Sequence, residues 1–144
     1  MSKTMVGTAA LVAVAFVAGF ALRGVVPGEP VAHAQGNRVF ELRTYTVGDG
    51  KLDALHTRFR EQTLPKFFKT HGMTNIWYGK PMDAPLSQNT MAYIIAFPSR
   101  DAAKKSWDSF RADAEWAKVA AASGVGPVKV DSVFFEPTDY SPLK

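Results

Sequence analysis

Cysteine is absent from all 144 residues. That absence excludes disulfides, thiolate nucleophiles, iron–sulfur ligation and lipid attachment at cysteine. Histidine is scarce, with three copies at positions 33, 56 and 71. The last two stand 15 residues apart without HExxH or related ligand spacing, so no metal site is expected. The chain has no GxSxG elbow, and Gly48-Asp49-Gly50 lacks both the spacing and the Lys-Ser/Thr of a phosphate-binding loop. It also lacks a basic stripe. Net charge is +4, only Lys104-Lys105 are adjacent, and a nucleic-acid surface is not expected. What remains is 47% apolar and 21% charged, an ordinary globular composition of single-domain length.

Residues 1–34 read as a targeting segment. Lys3 supplies a short positive region, Met5 to Leu22 is an uncharged run rich in Ala and Val, and Arg23 ends it. Pro27, Gly28 and Pro30 break any helix, and Ala32-His33-Ala34 is the small-x-small pattern that places a cut before Gln35. The rival reading is an uncleaved membrane anchor, since 18 residues reach the lower limit of a bilayer span. Both readings put the domain outside the cytoplasm, periplasmic or secreted. A cut there also removes His33 from the mature protein.

The domain is expected over residues 37–137, with 138–144 as a tail. A first strand covers roughly 38–46. Its alternation puts Phe40, Leu42 and Thr44 on one face, suited to a core, and Glu41, Arg43 and Tyr45 on the other. From Lys51 the period becomes helical, with a stripe of Leu52, Leu55, His56, Phe59 and Thr63; Asp53, Arg58, Arg60 and Glu61 lie away from its centre. Pro65 predicts a kink or restart, and Gly72 a helix stop. A second strand over 73–80 carries Ile76-Trp77-Tyr78, and a third over 90–97 is apolar without interruption from Met91. Ser99 caps a second helix with Asp101 in its first turn, Trp107 in its core stripe and a bend near Asp113. A last strand spans 128–136.

The order is β-α-β-β-α-β, an α+β, ferredoxin-like arrangement: a four-stranded antiparallel sheet with two helices on one face. Two helices cover only one face, yet the third strand is apolar on both faces, and the second and fourth carry aromatics on both. An apolar patch of that size suggests a second copy packed sheet against sheet, hence a homodimer with a shared interior. In that picture the Glu41–Arg43–Tyr45 face points into the dimer interior.

The opening Glu41-Leu42-Arg43-Thr44-Tyr45, Leu64-Pro65 late in the first helix, Phe97-Pro98-Ser99-Arg100-Asp101, Trp107 and Asp113-Ala114-Glu115-Trp116 together resemble the NIPSNAP domain. The resemblance implies the dimeric α+β barrel superfamily. It implies no common activity, since NIPSNAP proteins have none established, and related barrels include cofactor-free monooxygenases and some haem binders. An export signal and a single domain copy depart from the mitochondrial members of the family, so an adaptor role there does not carry over.

Seven residues are candidates for ligand contact: Glu41, Arg43, Tyr45, His56, Asn75, Trp77 and Trp116. Arg43 can clamp an anion, oriented by Glu41 with Tyr45 as a donor, or it can form a structural ion pair in the sheet interior or at the dimer seam. His56 sits in an apolar stripe, where it is a base, a haem ligand or a hydrogen-bonded core residue. Trp77 is the freest tryptophan, and Trp116 is placed to cap a cavity mouth. The leading expectation is an exported homodimer that binds a small apolar or anionic molecule or a protein partner, without a cofactor. The alternative is a cofactor-independent monooxygenase or isomerase, with His56 or Glu41 as base and Arg43 or Asn75 holding the oxyanion. A haem module through His56 is a third.

Overall fold

The structure, a computed structural model, describes residues 38–144. The targeting segment expected over 1–34 lies outside the described residues. From β1 (Val39–Val47) the chain enters α1 (Leu52–Arg58), which continues without a break as a π-helical segment (Phe59–Phe68). Then come β2 (Thr74–Gly79), a 3-10 turn (Leu86–Gln88), β3 (Thr90–Phe97), α2 (Arg100–Ala112), α3 (Ala114–Ala122) and β4 (Val128–Phe135). The strands pair antiparallel in the order β2-β3-β1-β4, the split βαβ topology expected from the element order. Among the described residues no helix is long and apolar enough to cross a membrane.

The helices differ from expectation in two places. At Pro65 the first helix does not restart; the proline sits inside a wider, π-helical stretch that begins at Phe59. A π turn moves the preceding carbonyls away from the pyrrolidine ring, relieving the clash that stops an α-helix. The wider turn also rotates the helical face, and Thr63 Oγ1 donates to the Arg58 carbonyl five residues back at 3.2 Å. Gly72 then ends the segment with φ +71°, while Met73 N–H donates to the Phe68 carbonyl at 2.9 Å. Secondly, the expected second helix is two. Asp113 adopts ψ 112°, closes α2, and accepts the N–H groups of Glu115 (2.8 Å) and Trp116 (3.1 Å) to cap α3. Among the described residues, three helices rather than two therefore accompany the sheet. Ser99 caps α2 as expected, accepting from Ala102 N–H at 3.1 Å.

Asp113 supports a pH prediction. The Trp116 N–H, then the His71 imidazole and the Glu115 N–H, hold its carboxyl below the usual aspartate range. A depressed carboxylate stabilises the fold above its unfolded value, and the gain is lost as pH falls through the folded one. The urea midpoints of wild type and Asp113→Ala are expected to differ fully near about pH 6 and to converge below about pH 3. A gap that is constant with pH would assign the cap no charge-dependent role.

The sheet faces are inverted relative to the expectation for β1. Register places Glu41, Arg43 and Tyr45 beside Ile95, Tyr93 and Met91 of β3, and Phe59 and Phe68 of the π segment pack on Tyr93 with ring centroids 5.3 and 5.9 Å away. The polar face therefore lies under the helices, inside the domain's own core, and is not the sheet face left for a dimer interior. Phe40, Leu42 and Thr44 lie on the open face instead. The reason is that α2 brings a partner to both the acid and the base: Trp107 N–H reaches Glu41, and the Trp107 ring covers Arg43. On the open face alternation places Phe40, Leu42, Ile94, Ala96, Trp77, Val133 and Phe135. Trp77, Val133 and Phe135 are about half exposed there, at 50%, 53% and 49%. Trp77 lies across Gly79, where a Cβ would collide with the indole.

Candidate functional site

Glu41 is buried at 2% exposure, and both its oxygens are engaged. Oε2 accepts from Trp107 Nε1 at 2.5 Å, and Oε1 accepts from Ser132 Oγ at 2.6 Å with Arg43 Nη1 3.7 Å away. The Arg43 guanidinium lies over the Trp107 ring, 3.8 Å from its centroid, and 5.7 Å from that of Tyr45. This network ties α2 to β1 and β4. A carboxylate so occupied is poorly placed to act as a general base, which must have a lone pair within reach of substrate. Tyr45 meets Phe59 and Tyr93 edge-on at 5.8 and 5.3 Å, so it is part of the aromatic packing.

His56 stands apart from that network. It lines a cleft of about 320 Å³ where the first helix passes the end of β2, together with Phe59, Tyr78, Met91 and the cations Arg60 and Lys80. Burial first, then Lys80 and Arg60, holds the imidazole below its ordinary value of 6.5, while Asp53 acts in the opposite direction. It is therefore neutral at pH 7. Its Nε2 is buried and has no hydrogen-bond partner among the described residues. Tyr78 stacks on Tyr93 at 5.5 Å and donates to Asn75 Oδ1 at 2.6 Å, and burial pushes its phenol well up, so it stays protonated. Arg60 and Lys80 belong to no ion pair among the described residues.

A second cleft, about 430 Å³, opens on the other side of α1 against α3. Arg58 and Ser123 line it, with the guanidinium Nη1 donating to Ser123 Oγ at 3.4 Å and lying 5.2 Å from the centroid of the Trp116 ring. Trp116 is packed on Phe67 and Phe110 at 5.3 and 4.5 Å, behind that arginine rather than at an open mouth. The seven candidates are thus dispersed. Glu41, Arg43 and Tyr45 lie together under the helices, His56 in its own cleft with Asn75 one bond removed through Tyr78, Trp116 behind Arg58, and Trp77 on the open sheet face. Sequence reasoning missed Arg58, Arg60 and Lys80. Its charge sets Arg58 away from the stripe, although it stands three residues after Leu55 in α1 and is buried with Leu52 and Leu55.

Ser109 Oγ, His71 and Asp113 stand in the order of a hydrolytic triad, with Oγ 2.8 Å from Nδ1 and Oδ2 3.0 Å from Nε2. Ser109 lies inside α2, whose N–H groups are committed to helical bonds, so no oxyanion donors face it. The trio instead fastens the end of the π segment to the α2–α3 junction. Among the described residues no group of three potential metal ligands occurs.

The profile of the family described as NIPSNAP matches residues 40–142. Two solved NIPSNAP family proteins from Agrobacterium tumefaciens are similar in fold. One, of unknown function, is 21% identical with a TM-score of 0.66, covering 76% of this chain and 96% of its own. The other is 22% identical with a TM-score of 0.64, covering 74% and 99%. An uncharacterized NIPSNAP-like domain protein from Burkholderia xenovorans is 15% identical with a TM-score of 0.64, covering 74% and 90%. No curated protein matches the chain.

Proposed function

The chain belongs to the NIPSNAP family, and from that premise we propose that it is an exported, homodimeric domain that binds a small aromatic acid or phenol in the His56 cleft. One observation carries the reading: two unpaired cations, Arg60 and Lys80, stand over a floor of Phe59, Tyr78 and Met91 beside a neutral imidazole. Ring faces favour a flat apolar body, and the cations favour a negative edge. The open apolar sheet face supports the homodimer, and residues 1–34 support export.

The experiment follows the His56 ring proton by NMR from about pH 5 to 8, with and without 4-hydroxybenzoate. Free protein is expected to titrate below 6.5, the ordinary value. Bound anion raises that midpoint, and Arg60→Ala and Lys80→Ala each weaken binding by roughly 3- to 10-fold. No response at His56, Arg60 or Lys80 to aromatic acids or phenols discards the reading in favour of a protein partner. The neutral imidazole also favours one second reading, a cofactor-independent monooxygenase or isomerase with His56 as base. Equal turnover of enolisable aromatic substrates by wild type and His56→Ala eliminates it.

A further inference from the structure

Arg58 poses a charge problem that its own protomer does not solve. Its residue exposure is 7%, and its Nε is buried without a hydrogen-bond partner. No carboxylate lies within ion-pair distance of it among the described residues. Ser123 Oγ at 3.4 Å and the Trp116 ring at 5.2 Å are its polar and aromatic company, and both are neutral. Tyr45 and Tyr93 are its phenolic neighbours, and burial keeps Tyr93 protonated. A guanidinium does not shed its proton in a protein, and a buried charge is normally paired. The same side chain lines the larger of the two clefts, together with the aliphatic Ala54 one turn before it on α1 and Val119 and Ala122 of α3.

We propose that the Arg58 cleft is a second ligand site, distinct from the His56 cleft, that takes a small aliphatic carboxylate with its head on Arg58 and its tail against Ala54, Val119 and Ala122. The size fits, since about 430 Å³ is within the range of small-molecule pockets. A carboxylate matches the planar donor fork, and Ser123 Oγ, whose proton goes to the Ala120 carbonyl at 2.7 Å, only accepts from the guanidinium and leaves its charge unmet. Glu61 lines the same cleft. It repels anions, restricting the site to a single charge at one end and disfavouring a phosphate dianion.

The test titrates the full chain with hexanoate, hexan-1-ol and inorganic phosphate, following backbone amides by NMR. Hexanoate is expected to shift Ala54, Val119, Ala122 and Ser123 saturably. Hexan-1-ol, with the same tail and no charge, is expected to bind about 10-fold more weakly or worse. Arg58→Gln abolishes the preference for the carboxylate, and Glu61→Gln, on the exposed side, tightens hexanoate about 2- to 5-fold. If Arg58→Gln does not fold, Glu61→Gln and the hexan-1-ol comparison decide alone. Equal affinity for hexanoate and hexan-1-ol, equal affinity for phosphate and hexanoate, or no effect of Glu61→Gln overturns the assignment. Shifts confined to His56, Arg60 and Lys80 overturn it too, while leaving the other cleft standing.

Discussion

Glu41→Ala is expected to remove about 3–5 kcal/mol of stability, the range for breaking a buried charged pair by deleting one partner. The substitution withdraws the acceptor from Trp107 Nε1 and Ser132 Oγ and the counter-charge from Arg43 in one step. Each group is then left in the interior with its desolvation unrepaid. A domain of this size has about 5–15 kcal/mol in total, so the variant approaches the edge of folding. Glu41→Gln keeps the shape and one carbonyl acceptor, and is expected to lose only about 1–2 kcal/mol. Urea denaturation followed by circular dichroism measures both. Trp107→Phe supplies the cross-check, because in a double-mutant cycle with Glu41→Gln the losses should overlap strongly rather than add. If Glu41→Ala melted within about 1 kcal/mol of wild type, the network would be an incidental contact and β1 would have to be read again as a site.

Topology was legible in the chain because it rests on local signals. Ser99 and Gly72 marked helix ends, prolines 81 and 98 marked strand ends, and β propensity in the second strand and an unbroken apolar run in the third marked the strands before them. The assignment of β1's faces was not legible. Alternation separates two sets of side chains but does not say which set meets the helices, and a charged set is normally assigned to the outside or to a seam. What reversed it is a contact 66 residues away in sequence, Trp107 to Glu41, which no local pattern encodes. The site suffered from the same limit. Arg58 shares α1's buried positions with Leu52 and Leu55 at three-residue spacing, but an arginine is assigned to solvent unless a fold shows it covered. His56 was found because histidine in an apolar stripe is conspicuous. Arg60 and Lys80 were not, since surface cations carry no mark until a fold places them around one cleft.

The inversion leaves the open sheet face more apolar than the sequence reading required, and Ile94 is the place to test it. Ile94 pairs with Leu42 on one side and Trp77 on the other, near the middle of that face, while Val133 and Phe135 flank it across β1. Lys129 and Asp131 pair with each other at 3.3 Å at one end of β4, giving the patch a polar rim. An apolar centre with a charged margin is the composition of an interface between copies. Ile94→Glu points its carboxylate away from the helices, so each protomer should keep its fold, with a melting temperature measured at low concentration close to wild type. In a sheet-to-sheet pair the same carboxylate would be buried beside its symmetry mate or against apolar side chains, without a cation to meet it. An unpaired buried charge there should weaken association by several kcal/mol, roughly 100- to 1,000-fold or more. Sedimentation velocity across a micromolar dilution series is expected to show a dimer for wild type and a monomer for Ile94→Glu. A wild-type monomer at every concentration would leave the face to another partner, and an unaltered dimer in the variant would move the interface elsewhere on the molecule.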